Sequence, residues 1–202
     1  MLMVKYPNNI IKNNLNKLHT FGNRGMSLED DLNDTNNYYL EHDIAVIHKK
    51  PTPIQVIDTA NGKIIKAYFK EPSTTDYNGL YKGKYIDFEA KETTNKTNFP
   101  LTNIHKHQIK HMRNIINHQG ISFLIVRFVK VNETYLLWGN DFISFIDSNK
   151  RKSIPISFFR EKGFKIDFNL KIKVDYIDII NKYGGVAIWK RTIKFLNLNY
   201  QI

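Results

Sequence analysis

The sequence predicts an α/β domain: a mixed β-sheet flanked by helices, with a projecting basic β-hairpin. Three observations carry this. Strand-like and helix-like segments alternate along the chain. The run "ISFLIVRFV" is apolar almost without a break, as expected of a strand buried on both faces. An Asn-Gly pair stands between two β-rich runs, which is a strong short-range hairpin signal. With 202 residues, 42% of them hydrophobic, the chain is long enough to bury one core of ordinary size. The expected division is a flexible basic arm over 1–23, a domain over 24–183 with its hairpin at about 50–72, and a tail over 184–202.

The first element is a helix beginning in "SLEDDLNDTNNYYL". Ser27 is a good N-cap and Asp30 lies three residues on, as in a capping box. Glu29, Asp30 and Asp31 fall in the first turn, where the helix dipole favours acids, and Leu28, Leu32, Tyr39 and Tyr38 supply the apolar stripe. "IAVIHKK" reads as a buried strand with a basic end. The hairpin follows, with runs 54–58 and 64–69 around "TANGK" and with Pro51 and Pro53 at its base, which suits an edge or projecting ribbon. A turn-rich passage leads into a strand at "YIDFEAKET". Residues 103–118 read as a helix ended by Gly120, "TYLLWG" as the partner of the apolar strand, and 141–147 as a short helix. The stretch 153–173 shows no period, and "VDYIDIINKY" reads as a last amphipathic helix.

Lysine and arginine number 30 against 19 acids, a net charge of +11, which points to a polyanionic partner, nucleic acid foremost. There are no cysteines, so disulfides and thiolate zinc sites are excluded. No apolar run is long enough to span a bilayer, and "MLMVKYPNNI" lacks the apolar block of a signal peptide; a cytoplasmic protein without a membrane partner is expected. The hairpin region carries Lys49, Lys50, Lys63, Lys66 and Lys70 against Asp58 and Glu71, and reads as a basic arm.

In "YIDFEAKET", Asp87, Glu89 and Lys91 alternate with Phe88 and Ala90, so a strand sends the three charges to one face. Hydrolysing a phosphodiester requires carboxylates that hold a divalent cation and a cation that positions water or offsets developing charge. Asp76, across "YNGLYKGK", can come alongside Glu89 and Lys91 on the neighbouring strand, and Glu29 of the first helix can add an acid. An Asp followed across a turn by Glu-x-Lys is the pattern of the PD-(D/E)xK nucleases. Asp87 stands either as a metal ligand or as a partner of Lys91. Gln108 either faces the site or is a surface amide, with the surface reading slightly favoured. His107 and His111 lack a third ligand and read as surface or packing residues. Lys82 and Lys84 either contact phosphate or decorate a solvated turn. Tyr77 and Tyr81 either stack on bases or pack the turn.

A longer resemblance adds to this. "NRGMSLEDDLNDTNNYYL", "IAVIHKKPTPIQV", "AYFKEPSTTDYNGLYKGKYIDFEAKETTNKTNFPL" and "HQIKHM" resemble, in order from Asn23 to Met112, the RecU family of Holliday junction resolvases. The resemblance implies a restriction-endonuclease-like fold and a homodimeric, Mg²⁺-dependent endonuclease, Mn²⁺ substituting. Such an enzyme cuts four-way junction DNA by paired symmetric nicks, in the nucleoid, alongside a recombinase and a branch-migration helicase. Carried over, Asp76, Glu89 and Lys91 match the catalytic positions, with Thr74 beside them and Glu29 at the first-helix acid; the metal set is then Asp76, Glu89, Thr74, Glu29 and Asp87. Arg24, Lys49 and Lys50 match basic positions near the hairpin, the family's stalk, whose tip "DTANGK" is shorter here than is usual in the family. Other readings are a different nuclease of the same superfamily, or a DNA-binding or recombinase-regulating module without catalysis.

Overall fold

The structure is a computed structural model that describes residues 27–70 and 74–183; the N-terminal arm, Arg24 and the C-terminal tail lie outside them. By their contacts these residues form two units, one holding residues from Thr52 to Lys70 and the other the rest.

The larger unit opens with α1 (Leu28–Glu41). Its start is as the sequence predicts: Asp30 N–H donates to Ser27 Oγ at 3.2 Å, and the Asp30 carboxylate accepts from the Ser27 backbone N–H. Leu28, Leu32 and Tyr39 are buried, while Tyr38 is half-buried and stacks on His42. β1 (Val46–Lys49) follows. It was expected to be buried, yet of its four residues only Ile47 is, because β1 is the edge of the sheet and has one neighbour.

The smaller unit is the hairpin of β2 (Ile54–Ala60) and β3 (Lys63–Phe69), the first two residues and the second one residue longer than its β-rich run. Asn61 (φ 51°) and Gly62 (φ 71°) both lie in the left-handed region, the type I′ arrangement that Asn-Gly favours. All residues of both strands are exposed, including Lys63 and Lys66.

In the larger unit, β4 (Tyr77–Tyr81) and β5 (Lys84–Thr93) form a hairpin closed at Lys82–Gly83, so half of the passage read as turn-rich is strand. The short β6 (Asn98–Pro100), a 3₁₀ turn over Leu101–Asn103 and α2 (Lys106–Asn117) then carry the chain to β7 (Ile121–Phe128), which pairs with β5 in parallel. α2 stops earlier than expected, and its left-handed residue is Gln119 (φ 64°) rather than Gly120. β8 (Glu133–Trp138) pairs antiparallel with β7, and α3 (Gly139–Ser148) follows.

The stretch 153–173, without a period in the sequence, holds β9 (Ser153–Pro155), α4 (Ile156–Lys162) and β10 (Phe164–Ile166). Elements of three to seven residues are too short to display a period, and these are held by tertiary contacts: β10 on β8, and Ile156 and Phe159 in the core. A helix including 176–183 buries Tyr176, Ile177, Ile179 and Ile180.

Among the described residues the sheet runs β1-β4-β5-β7-β8-β10, with β5·β7 its only parallel pair. β7 is buried on both faces, which is why its sequence is continuously apolar. Phe123 and Ile125 face one core with α1, where Phe88 stacks between Tyr77 (4.9 Å) and Phe123 (4.7 Å); Leu124, Val126 and Phe128 face the other. At Gly79 the backbones of β4 and β1 pack so closely that a Cβ would lie 2.0 Å from Val46 O.

Candidate active site

The register of β4 on β5 pairs Tyr77 with Phe88, so one step further Asp76 faces Glu89 across the hairpin. Phe88 and Ile86 point into the apolar core; Asp87 and Glu89 point to the opposite face, toward α2. The alternation therefore places the charges as expected. Lys91 Nζ lies 3.1 Å from Asp76 Oδ2 and also pairs with Glu89 Oε1, so the three residues converge. Ala90 N–H adds a bond to Asp76 Oδ2 at 3.3 Å.

The two acids on the face of β5 have opposite environments. Both are fully buried. Asp87 accepts from Thr75 Oγ through Oδ1, and Oδ2 meets Lys50 Nζ at 2.6 Å, Tyr85 Oη at 3.1 Å and His111 Nε2 at 3.1 Å. Four partners use up the acceptor capacity of a carboxylate. Glu89 takes Gln108 Nε2 (2.8 Å) and Lys91 on Oε1, while its buried Oε2 has no hydrogen-bond partner. Burial pushes the Glu89 carboxyl up to about 8, the neighbouring Asp76 carboxylate pushes the same way, and Lys91 pulls it back. Burial draws Lys91 down, but Glu89 and Asp76 outweigh it and hold its ammonium above the ordinary value.

Two adjacent carboxylates with a buried open oxygen fit a hard divalent cation, which would satisfy Glu89 Oε2 and offset the crowding of negative charge. Among the described residues no cluster of three His, Asp or Glu side chains forms a ready cage. Beside the pair lies a cleft of about 240 Å³ lined by Ser27, Glu29, Asp76, Lys91 and Glu92. The Glu92 carboxylate accepts Leu28 N–H at 2.9 Å and so ties the start of α1 to β5, which brings Glu29 to the cleft. Glu29 itself is exposed and paired with Lys49.

Other expected residues fall elsewhere. Gln108, read as a surface amide, is buried against Glu89; its side chain turns inward because Oε1 also caps α2 through His105 N–H at 2.9 Å. Asp87 does not partner Lys91: residues four apart on a strand are about 13 Å apart, so their side chains point the same way without meeting. Its partner is Lys50, which also donates to Thr74 Oγ at 3.0 Å. Tyr77 and Tyr81 are buried and pack the core. Lys82 and Lys84 are exposed at the β4–β5 turn, Lys82 within 3.2 Å of Asn181 Oδ1. Sequence reasoning missed Thr75 and Tyr85 as partners of Asp87, and the part-buried pair Arg127–Asp31 (2.8 Å) that ties α1 to β7. Tyr85 and Asp87 are two apart on one strand, a spacing that could have revealed the first of these.

A six-stranded mixed sheet with flanking helices, and Asp76 just before β4 converging with Glu89 and Lys91 of β5, is consistent with a nuclease-like α/β protein. The profile of the RecU family, described as recombination protein U, matches residues 23–182. The chain is 54% identical over 173 residues to a Holliday junction resolvase RecU of Bacillus cytotoxicus, covering 82% of this chain and 86% of that one. It is 50% identical over 183 residues to the same-named protein of Oceanobacillus iheyensis, covering 87% and 92%. The chain belongs to the RecU family.

Proposed function

We propose that this protein is a divalent-metal-dependent endonuclease that resolves four-way DNA junctions by paired nicks. The observation that carries the reading is Glu89: a buried carboxylate with an open oxygen, beside Asp76 and Lys91, in a chain matched along most of its length by proteins named Holliday junction resolvase. Mg²⁺, with Mn²⁺ as substitute, would supply charge stabilisation at phosphate and a more acidic water. Asp76 and Glu89 would hold that ion, with Thr74 and Glu29 as further candidate oxygen donors; Asp87, its acceptors already filled, is outside the set. Gln108 holds Glu89 through Oε1, which leaves Oε2 open as the oxygen that would bind the ion. Lys91, held charged, orients the attacking water or stabilises the developing negative charge on phosphate.

The wider net charge of +11 supports DNA as substrate. In this reading Arg24, Lys49, Lys63, Lys66, Lys82 and Lys84 contact phosphate, the 52–70 hairpin enters the junction, and a homodimer places two sites for paired cuts. A nucleoid location with recombinase and helicase partners belongs to the same reading; no helix among the described residues is long and apolar enough to cross a membrane. The test is cleavage of a four-way junction and of a linear duplex of the same sequence, with and without Mg²⁺, with Asp76→Asn as control. Metal-dependent cutting of the junction alone supports the proposal. Equal cutting of both substrates points to another nuclease, and no cutting in Mg²⁺ to a binding module.

A further inference from the structure

Lys50, directly after β1, sits in a polar cluster with Thr74, Thr75 and Asp87. Its ammonium has three protons, and all three are used inside the protein: on Thr74 Oγ (3.0 Å), Thr75 Oγ (2.7 Å) and Asp87 Oδ2 (2.6 Å). Its backbone N–H donates to Asp76 C=O at 2.8 Å. One residue therefore grips three consecutive residues, 74, 75 and 76, and ties them to β5 through Asp87. The Lys50 side chain is 14% exposed, against 43% for Lys49, whose ammonium pairs with the exposed Glu29. Asp87 in turn is saturated by Lys50, Thr75, Tyr85 and His111.

We propose that Lys50 is a positioning residue: anchored by Asp87, it fixes the Thr74–Asp76 segment so that Asp76 meets Glu89 and Lys91, and it makes no DNA contact. The inference rests on the reading of Asp76, Glu89 and Lys91 as the cleavage site. An ammonium with no free proton and little exposure has nothing to offer a phosphate. A segment outside regular structure needs such a hub, because Asp76 lies one step beyond Tyr77, the last paired residue of β4, and has no ladder pair of its own to hold it there. A buried cation–carboxylate pair is weak evidence for stability but suits fixing one geometry among several.

The test uses the full chain with Lys50→Met, and with Lys50→Met combined with Asp87→Asn, which removes both charges and keeps one acceptor oxygen in the cluster if the single variant unfolds. Junction affinity and its salt dependence are measured in Ca²⁺, Mn²⁺ binding by calorimetry, and cleavage under single turnover in Mg²⁺. The expected result is junction affinity within about twofold of the parent with an unchanged salt slope. Mn²⁺ affinity and cleavage rate should each fall by about tenfold to a hundredfold, as when a residue supporting a metal ligand is lost. Weaker junction binding with a shallower salt slope would make Lys50 a phosphate contact and overturn the proposal; so would unchanged Mn²⁺ binding and cleavage. Glu89→Gln is run in parallel. If it cuts normally, the reading of the site falls and this inference with it; if it is inactive while the double variant cuts normally, this inference alone falls.

Discussion

Gln108 donates its amide to Glu89 Oε1 at 2.8 Å, and this bond decides which carboxylate oxygen stays open. Gln108→Ala should therefore act on metal binding rather than on DNA binding. Mn²⁺ affinity and cleavage should fall by about tenfold to a hundredfold, with junction affinity in Ca²⁺ unchanged. Calorimetry and single-turnover cleavage check it.

Glu89→Gln and Asp76→Asn each remove a carboxylate from the pair that Lys91 bridges. Cleavage should drop by about a hundredfold to a thousandfold or more, while junction binding persists. Lys91→Ala should lose cleavage to a similar extent with Mn²⁺ binding largely kept, since its role is on the substrate side. Gel shift beside a cleavage time course separates the two effects.

The Glu89 carboxyl, near 8 in the folded chain against 4.5 in the unfolded one, ties stability and metal binding to pH in opposite directions. Without added metal, the folded state holds a proton that the unfolded state has released between these values. That contribution to stability is complete below about 4.5 and is lost as pH rises through about 8. Metal must displace the same proton, so Mn²⁺ affinity should climb by up to about tenfold per pH unit and level off above 8. Urea midpoints and calorimetry from pH 6 to 9 test both, and Glu89→Gln should abolish this component of both slopes.

Gly79→Ala puts a methyl 2.0 Å from Val46 O, where backbone must yield. A loss of about 1–3 kcal/mol is expected, read by urea unfolding. Because Lys50 follows β1 directly, cleavage should suffer more than stability alone explains.

Replacing Lys63 and Lys66 by Gln removes two exposed charges of the hairpin. If both meet phosphate, the slope of log affinity against log salt should shrink by about two, measured by anisotropy on a four-way junction.

The sequence was most legible where one local rule acts alone. Ser27 and Asp30 announced the α1 cap, Asn61–Gly62 announced the hairpin turn, and the alternation from Tyr85 to Lys91 separated charged from apolar faces. It was least legible where a side chain's fate depends on a distant strand. Nothing near Gln108 says that Glu89 will meet it, and nothing near Lys50 says that Thr74, Thr75 and Asp87 will consume its protons. Asp87 was ambiguous for the same reason: two acids two residues apart look equivalent until their partners are counted.

Because β5 and β7 run parallel, the chain between them must travel the length of the sheet and return, and α2 is the main part of that return. Asp76, Glu89 and Lys91 come from a local hairpin that needs only a two-residue turn, whereas Gln108 and His111 ride on the connection. The acids can thus be gathered early in folding, when only short loops have closed, and the residues that orient them arrive only after the slow, non-local pairing is made. A nascent chain would hold the parts of a cutting edge before it could use them, so competence to cleave is acquired at the last stage of folding rather than with the hairpin that carries the acids.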